Sequence, residues 1–141
     1  MKELKVQLID DHDGFLDSAE RFLKTLGWVT VVGRGNDGLQ AIEMAERLEP
    51  DALLMDLSMP RMGGLQATRA IKAQTNPPFI ALVSHYDDAH HREHVVKAGA
   101  DAFVSKLWYV TEIVPILKQL AQASGEGGDC LLYTSPSPRD S

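Results

Sequence analysis

Cysteine is nearly absent from this sequence. Cys130 is the only one, so no internal disulfide can form. A reducing, cytoplasmic setting is the expectation that follows. Long hydrophobic runs are missing too. No apolar stretch approaches the roughly 20 residues that span a bilayer, and Met1–Lys5 opens no secretion signal, so no membrane partner is expected. Positive charge is scarce: 14 Lys and Arg face 20 Asp and Glu, leaving a net charge of −6. That balance argues against gripping nucleic acid through its phosphates. Two common ligand motifs are also lacking. Gly33-Arg34-Gly35 has neither the lysine nor the length of a phosphate loop. His90, His91 and His94 have no Cys or carboxylate completing a metal site, so they read as a solvated helix face.

What is present is a chain of 141 residues with 44% apolar and 24% charged content, enough for one soluble domain with a proper core. Its centre is Ala52-Leu53-Leu54-Met55-Asp56, an apolar run that ends on a carboxylate, with Pro60 breaking the chain soon after. Such a run reads as a strand buried on both faces of a parallel sheet. Asp56 by itself could simply cap the following turn.

The rest of the chain alternates strand and helix. Strands are expected at Val6–Ile9, Val29–Val32, Phe79–Val83 and Ala102–Val104 around the central one. The first helix carries Phe15, Ala19, Phe22, Leu23 and Leu26 inward and stops at Gly27. The second is capped by Asn36-Asp37, turns Leu39, Ile42, Ala45 and Leu48 inward, and ends at Pro50. Helices at Leu65–Ala73, Asp87–Ala98 and Thr111–Ala123 follow, with Pro115 early in the last. Right-handed helical crossovers make the strands parallel, giving an α/β fold, a three-layer sandwich.

Polar residues converge on the carboxyl edge of that sheet, where open α/β folds bind ligands. The first strand delivers Asp10 and Asp11, the third Asp56, the fourth Ser84 and the fifth Lys106. Three carboxylates together repel, by about 4 kcal/mol per pair at 4 Å and an effective dielectric near 20. A hard divalent cation such as Mg2+ relieves them. Cation, ammonium and hydroxyl together would surround a phosphoryl group, with Asp56 as the carboxylate nucleophile. The plain alternative is a structural ion pair between Lys106 and the acids.

Ile9-Asp10-Asp11, Leu54 through Gly64 (Leu-Met-Asp-Leu-Ser-Met-Pro-Arg-Met-Gly-Gly), Ser84 and Lys106 resemble the receiver domain of two-component response regulators over about residues 5–122. The resemblance implies a flavodoxin-like fold of five parallel strands in the order 2-1-3-4-5 with five helices. It implies that Asp56 accepts a phosphoryl group from a sensor histidine kinase. Asp11, Asp56 and the backbone carbonyl of Ser58 would bind Mg2+, with Asp10 acting through a water. Lys106 and Ser84 would hold the phosphoryl oxygens. Ser84 and Phe103 occupy the switch positions, Phe103 being equally readable as a plain core residue. Ser58, His85 and Tyr86 lie where side chains tune hydrolysis, and the bulky His85, where many receivers have a small residue, implies an altered phosphoryl lifetime. Trp108 and Tyr109 suit either a partner surface or packing under the last helix.

Leu107, where many receivers have Pro, together with Met62 through Arg69, is similar to the subfamily that precedes a LuxR-type helix-turn-helix. DNA would then be contacted only through a missing output domain. A phosphorylation-dependent homodimer through the helix-four to helix-five face is an expected partner state. A stand-alone receiver acting through protein partners or a phosphorelay is the alternative. A small-molecule phosphatase is disfavoured, because Asp56-Leu57-Ser58 offers no second carboxylate. The domain is therefore not expected to be an enzyme beyond its own phosphorylation and dephosphorylation.

Residues 4–123 form the expected domain and 124–129 a linker. The tail, 130–141, has no periodicity. Reverse translation of Cys130 through Asp140 resembles a transposase-based sequencing adapter, so the tail is expected to be non-native.

Overall fold

The computed structural model describes residues 3–85 and 89–123, excluding the side chains at 89–91 and 108. The linker, the tail, Tyr86 and the expected start of the fourth helix at Asp87 lie outside the described residues. Elements alternate without exception: β1 (Leu4–Ile9), α1 (Asp13–Lys24), β2 (Val29–Gly35), α2 (Gly38–Leu48), β3 (Ala52–Asp56), α3 (Gly64–Lys72), β4 (Phe79–Ser84), α4 (Ala89–Ala98), β5 (Ala102–Ser105) and α5 (Tyr109–Ala123). One parallel sheet orders the strands β2-β1-β3-β4-β5. This is the flavodoxin-like arrangement expected from the resemblance.

Side-chain alternation splits the core into two layers. Leu8, Leu54 and Val104 face α1 and α5, meeting Leu16, Leu23 and Leu117. Ile9, Leu53, Met55 and Phe103 face the other way, with Ile71 of α3 and Val95 of α4. All five residues of β3 are buried, as its unbroken apolar run requires.

The same alternation aims the polar residues. Asp10, Asp56 and Lys106 share parity with Leu8, Leu54 and Val104 along their strands, so they are launched toward the α1–α5 side. Ser84 and Phe103 have the opposite parity.

Several expectations need correction. Leu39 is 51% exposed, and α2 buries Gly38, Ala41, Met44 and Ala45 instead. The Asp37 side chain caps this helix by accepting from Gln40 N, and Gly38 N donates to the Met62 carbonyl. That docking rotates Leu39 outward. Helix α5 begins at Tyr109, after a 3-10 turn at Lys106–Trp108, so Pro115 stands beyond its first turn. It is tolerated because it lies on the exposed face. Strand β2 runs on to Gly35, paired with Ile9, after a register shift between Val6 and Gln7. Gly35 leaves room for the Ile9 side chain, since a Cβ there would stand 2.8 Å from Ile9 Cδ1. Tyr109 packs against Phe15 and Phe22, as the packing reading expects.

At the opposite edge of the sheet, Asp101 Oδ2 accepts from Ile80 N at 2.9 Å and from Lys72 Nζ at 2.6 Å. Lys72 Nζ also donates to the Pro78 carbonyl at 2.8 Å. Asp101→Ala strands the Ile80 backbone donor and leaves the Lys72 ammonium with the Pro78 carbonyl. Urea unfolding should show a loss of about 1–3 kcal/mol.

Candidate functional site

The site begins where β1 runs out. Asp10 is 1% exposed, and its Oδ1 accepts from His12 N at 2.8 Å, turning the chain into α1. Asn36 Nδ2 donates to the Asp10 carbonyl at 3.1 Å, and Asp10 N donates to the Gly35 carbonyl at 3.0 Å. The aspartate is thus fixed by β2 and its own loop.

Asp56, at the end of β3, is 4% exposed. Ser58 N donates weakly to Oδ1 at 3.4 Å, and Lys106 Nζ lies 3.5 Å from Oδ2. Burial, and then the charge of Asp10, push the Asp56 carboxyl up to about 6, against the opposing pull of Lys106.

Lys106 completes the arrangement with a side chain only 5% exposed. Its Nζ stands 2.8 Å from Asp10 Oδ2, an oxygen that nevertheless receives no aligned hydrogen bond. The ion pair is therefore what holds this buried oxygen. Carboxylate oxygens of Asp10, Asp11 and Asp56 and a ring nitrogen of His12 all lie within 4.8 Å of one another. This acidic pocket can hold a metal ion, and its oxygen-rich donor set fits a hard divalent cation.

The strands bring Asp10, Asp11, Asp56 and Lys106 together as the sequence predicts. Ser84 is buried at the end of β4, with its Cα paired to Ser105. Phe103 is 9% exposed, packed toward α3 and α4, with the Arg92 guanidinium 5.7 Å from its ring centroid. His85 and Ser58 are exposed. His94 is half-buried, while the side chains of His90, His91 and Trp108 are not described.

Three features escaped sequence reasoning. His12 Nδ1 lies 3.3 Å from Asp10 and 3.2 Å from Asp11; its position directly after the acid pair was the available signal. Arg61, in a left-handed conformation with φ 65°, pairs with the buried Asp37. The Gln40 backbone N–H and then Arg61 hold the Asp37 carboxyl below its ordinary range. That pair, with the Gly38–Met62 hydrogen bond, pins the loop after β3 against α2. The third is Phe15, whose ring centroid lies 4.6 Å from Lys106 Nζ.

Residues 6–118 match the family model described as response regulator receiver domain. The transcriptional regulatory protein DegU of Brevibacillus brevis is 32% identical over 120 residues, covering 85% of this chain and 51% of that protein. The nitrate/nitrite response regulator protein NarL of Escherichia coli (strain K12) is 34% identical over 136 residues, covering 94% of this chain and 59% of its own length. The chain spans about half the length of the curated relatives it matches. Among solved structures, the signal receiver domain of a response regulator NarL from Mycobacterium tuberculosis aligns with a TM-score of 0.80 at 32% identity, covering 86% of this chain and 98% of that one. Among the described residues, no helix is long and apolar enough to cross a membrane.

Proposed function

Because the chain belongs to the receiver domain family of two-component response regulators, we propose that Asp56 is its phosphoacceptor, charged by a sensor histidine kinase. The observation that carries this reading is the buried carboxylate of Asp56 at the end of the central strand, 4% exposed, with an ammonium 3.5 Å away and the acids Asp10 and Asp11 beside it. A carboxylate oxygen of Asp56 forms the new O–P bond as the N–P bond of a phosphohistidine breaks. The imidazole leaves with the electron pair and takes up a proton.

Asp11, Asp56 and the Ser58 carbonyl would hold Mg2+, with Asp10 contributing through a water. When bound, that ion supplies positive charge to the phosphoryl oxygens. Lys106 supplies a second positive charge and the Ser84 hydroxyl a neutral donor. Phosphorylation adds nearly two negative charges. Lys106 then turns from Asp10 toward the phosphoryl group, and Ser84 moves with it. Those shifts bias the face of α4, β5 and α5, with Phe103 beneath it, toward a different partner or a second copy of the chain. Ser58, His85 and Tyr86 set how long the phosphoryl group lasts. The domain modifies only itself and is no enzyme toward other substrates.

Control of transcription is the output this reading favours, because the relatives are named as a transcriptional regulatory protein and a response regulator and the matched segments cover only 51% and 59% of their lengths. DNA would be bound by a helix-turn-helix segment outside this domain. A stand-alone receiver working through protein partners is the second reading, and a sequencing read past the codon for Asp129 separates the two.

Phosphoryl transfer itself is tested with a small phosphodonor. Phosphoramidate with Mg2+ should install a hydroxylamine-labile phosphate, and chelation by EDTA should abolish labelling. Absence of label, under conditions that label a known receiver, would overturn the proposal.

A further inference from the structure

Lys106 Nζ meets three groups: Asp10 Oδ2 at 2.8 Å, Asp56 Oδ2 at 3.5 Å and the Phe15 ring, 4.6 Å to its centroid. With the side chain only 5% exposed, little water competes for the ammonium. A cation so desolvated is drawn to the negative face of an aromatic ring. The ring is itself held in place. Phe15 packs on Tyr109 with centroids 5.0 Å apart and planes at 59°, and Tyr109 meets Phe22 edge-on at 6.3 Å. Tyr109 opens α5, one turn after Lys106. One aromatic stack therefore joins α1 to the segment that carries the lysine.

Phe15 and Tyr109 also line an apolar pocket between α1, α5 and the sheet that reaches Asp10 and Asp56. Without the ring, the ammonium loses its partner on the apolar side of that pocket and is held by the two carboxylates alone. A packing role would be met by any apolar side chain of similar bulk. Holding a cation requires a π face.

We propose that Phe15 is a positioning residue for phosphoryl transfer at Asp56: its ring face holds the Lys106 ammonium between the Asp10 and Asp56 carboxylates, within reach of the incoming phosphoryl group. The inference rests on the reading of Asp56 as phosphoacceptor. It makes α1, through one side chain, part of the machinery that aims the lysine.

Phe15→Tyr keeps the ring, whereas Phe15→Met and Phe15→Leu keep apolar bulk and remove it. Labelling of the full chain by phosphoramidate and Mg2+ should slow about five- to tenfold in the Met and Leu variants and stay within about twofold of wild type in the Tyr variant. In a Lys106→Met background, Phe15→Leu should change the rate no further. NMR adds a readout independent of phosphorylation. Ring current should shift the Lys106 ε-methylene protons upfield in wild type and Phe15→Tyr, and the shift should vanish in Phe15→Met. Wild-type labelling rates in both Met and Leu variants, or unshifted ε-protons in wild type, would overturn the proposal. If wild type itself takes no label, the reading of Asp56 fails and takes this one with it. If wild type labels and Phe15→Met labels equally fast, only the role of Phe15 falls.

Discussion

Asp56→Asn should make the metal-free domain more stable at pH 7.5 while ending its phosphorylation. Burial and the neighbouring Asp10 raise the Asp56 carboxyl from 3.8 to about 6 in the folded protein. Between those values the folded state keeps a proton that the unfolded chain gives up. The stability from this group is full below the unfolded value and is lost as pH rises through about 6. A shift of roughly two units corresponds to about 3 kcal/mol. At pH 7.5 the wild type folds against that cost and the asparagine variant does not. Urea unfolding should therefore show Asp56→Asn more stable by up to about 3 kcal/mol at pH 7.5, with the difference fading toward pH 4. Mg2+ should narrow the gap at pH 7.5 by favouring the ionised wild type. A destabilised variant, or a difference that ignores pH, would mean that Asp56 is not held at a cost to the fold.

Gly64→Ala should be strongly damaging to the domain. A Cβ at this position would stand 2.6 Å from the Asp56 carbonyl oxygen, 3.0 Å from Leu57 Cα and 3.0 Å from Leu82 Cδ2. Two of these atoms belong to the backbone that carries the phosphoacceptor. Gly64 N also donates to the Leu57 carbonyl at 2.9 Å, which closes the loop over Asp56. Neither side can move without shifting the carboxylate. Overpacking against fixed backbone should cost about 3 kcal/mol or more. Labelling of whatever fraction folds should slow as well, since Asp56 is displaced. Gly14→Ala is the control. A Cβ there meets nothing within 4 Å, in the first turn of α1, and should gain about 0.5–1 kcal/mol. Equal stability of the two variants would show that the loop after β3 has slack.

The sequence exposed the site more clearly than the packing. Asp10, Asp56 and Lys106 each follow a short apolar strand, and period-two alternation alone puts them on one side of the sheet. Local patterning was sufficient because a parallel sheet buries its strands on both faces and leaves the functional chemistry at the ends. The phase of α2 was not legible, because the Asp37 cap and the Gly38–Met62 hydrogen bond decide it, and both depend on a loop distant in sequence. The same limit hid the Arg61–Asp37 pair. Phe15 was visible only as one apolar residue on a helical face; its contact with Lys106 joins the two ends of the domain. The buried Gln7 reached no prediction either. It stands in mid-strand, its Nε2 donating to the Ala41 carbonyl at 3.3 Å.

Locating the phosphoryl group is the most direct test of the central claim. The protein is treated with phosphoramidate and Mg2+, reduced with sodium borohydride, and its peptides are sequenced by mass spectrometry. Reduction turns a phosphorylated aspartate into homoserine. The account predicts homoserine at position 56 and intact aspartate at positions 10 and 11. Homoserine at either of those positions, or none anywhere while a known receiver treated alongside is converted, would contradict it.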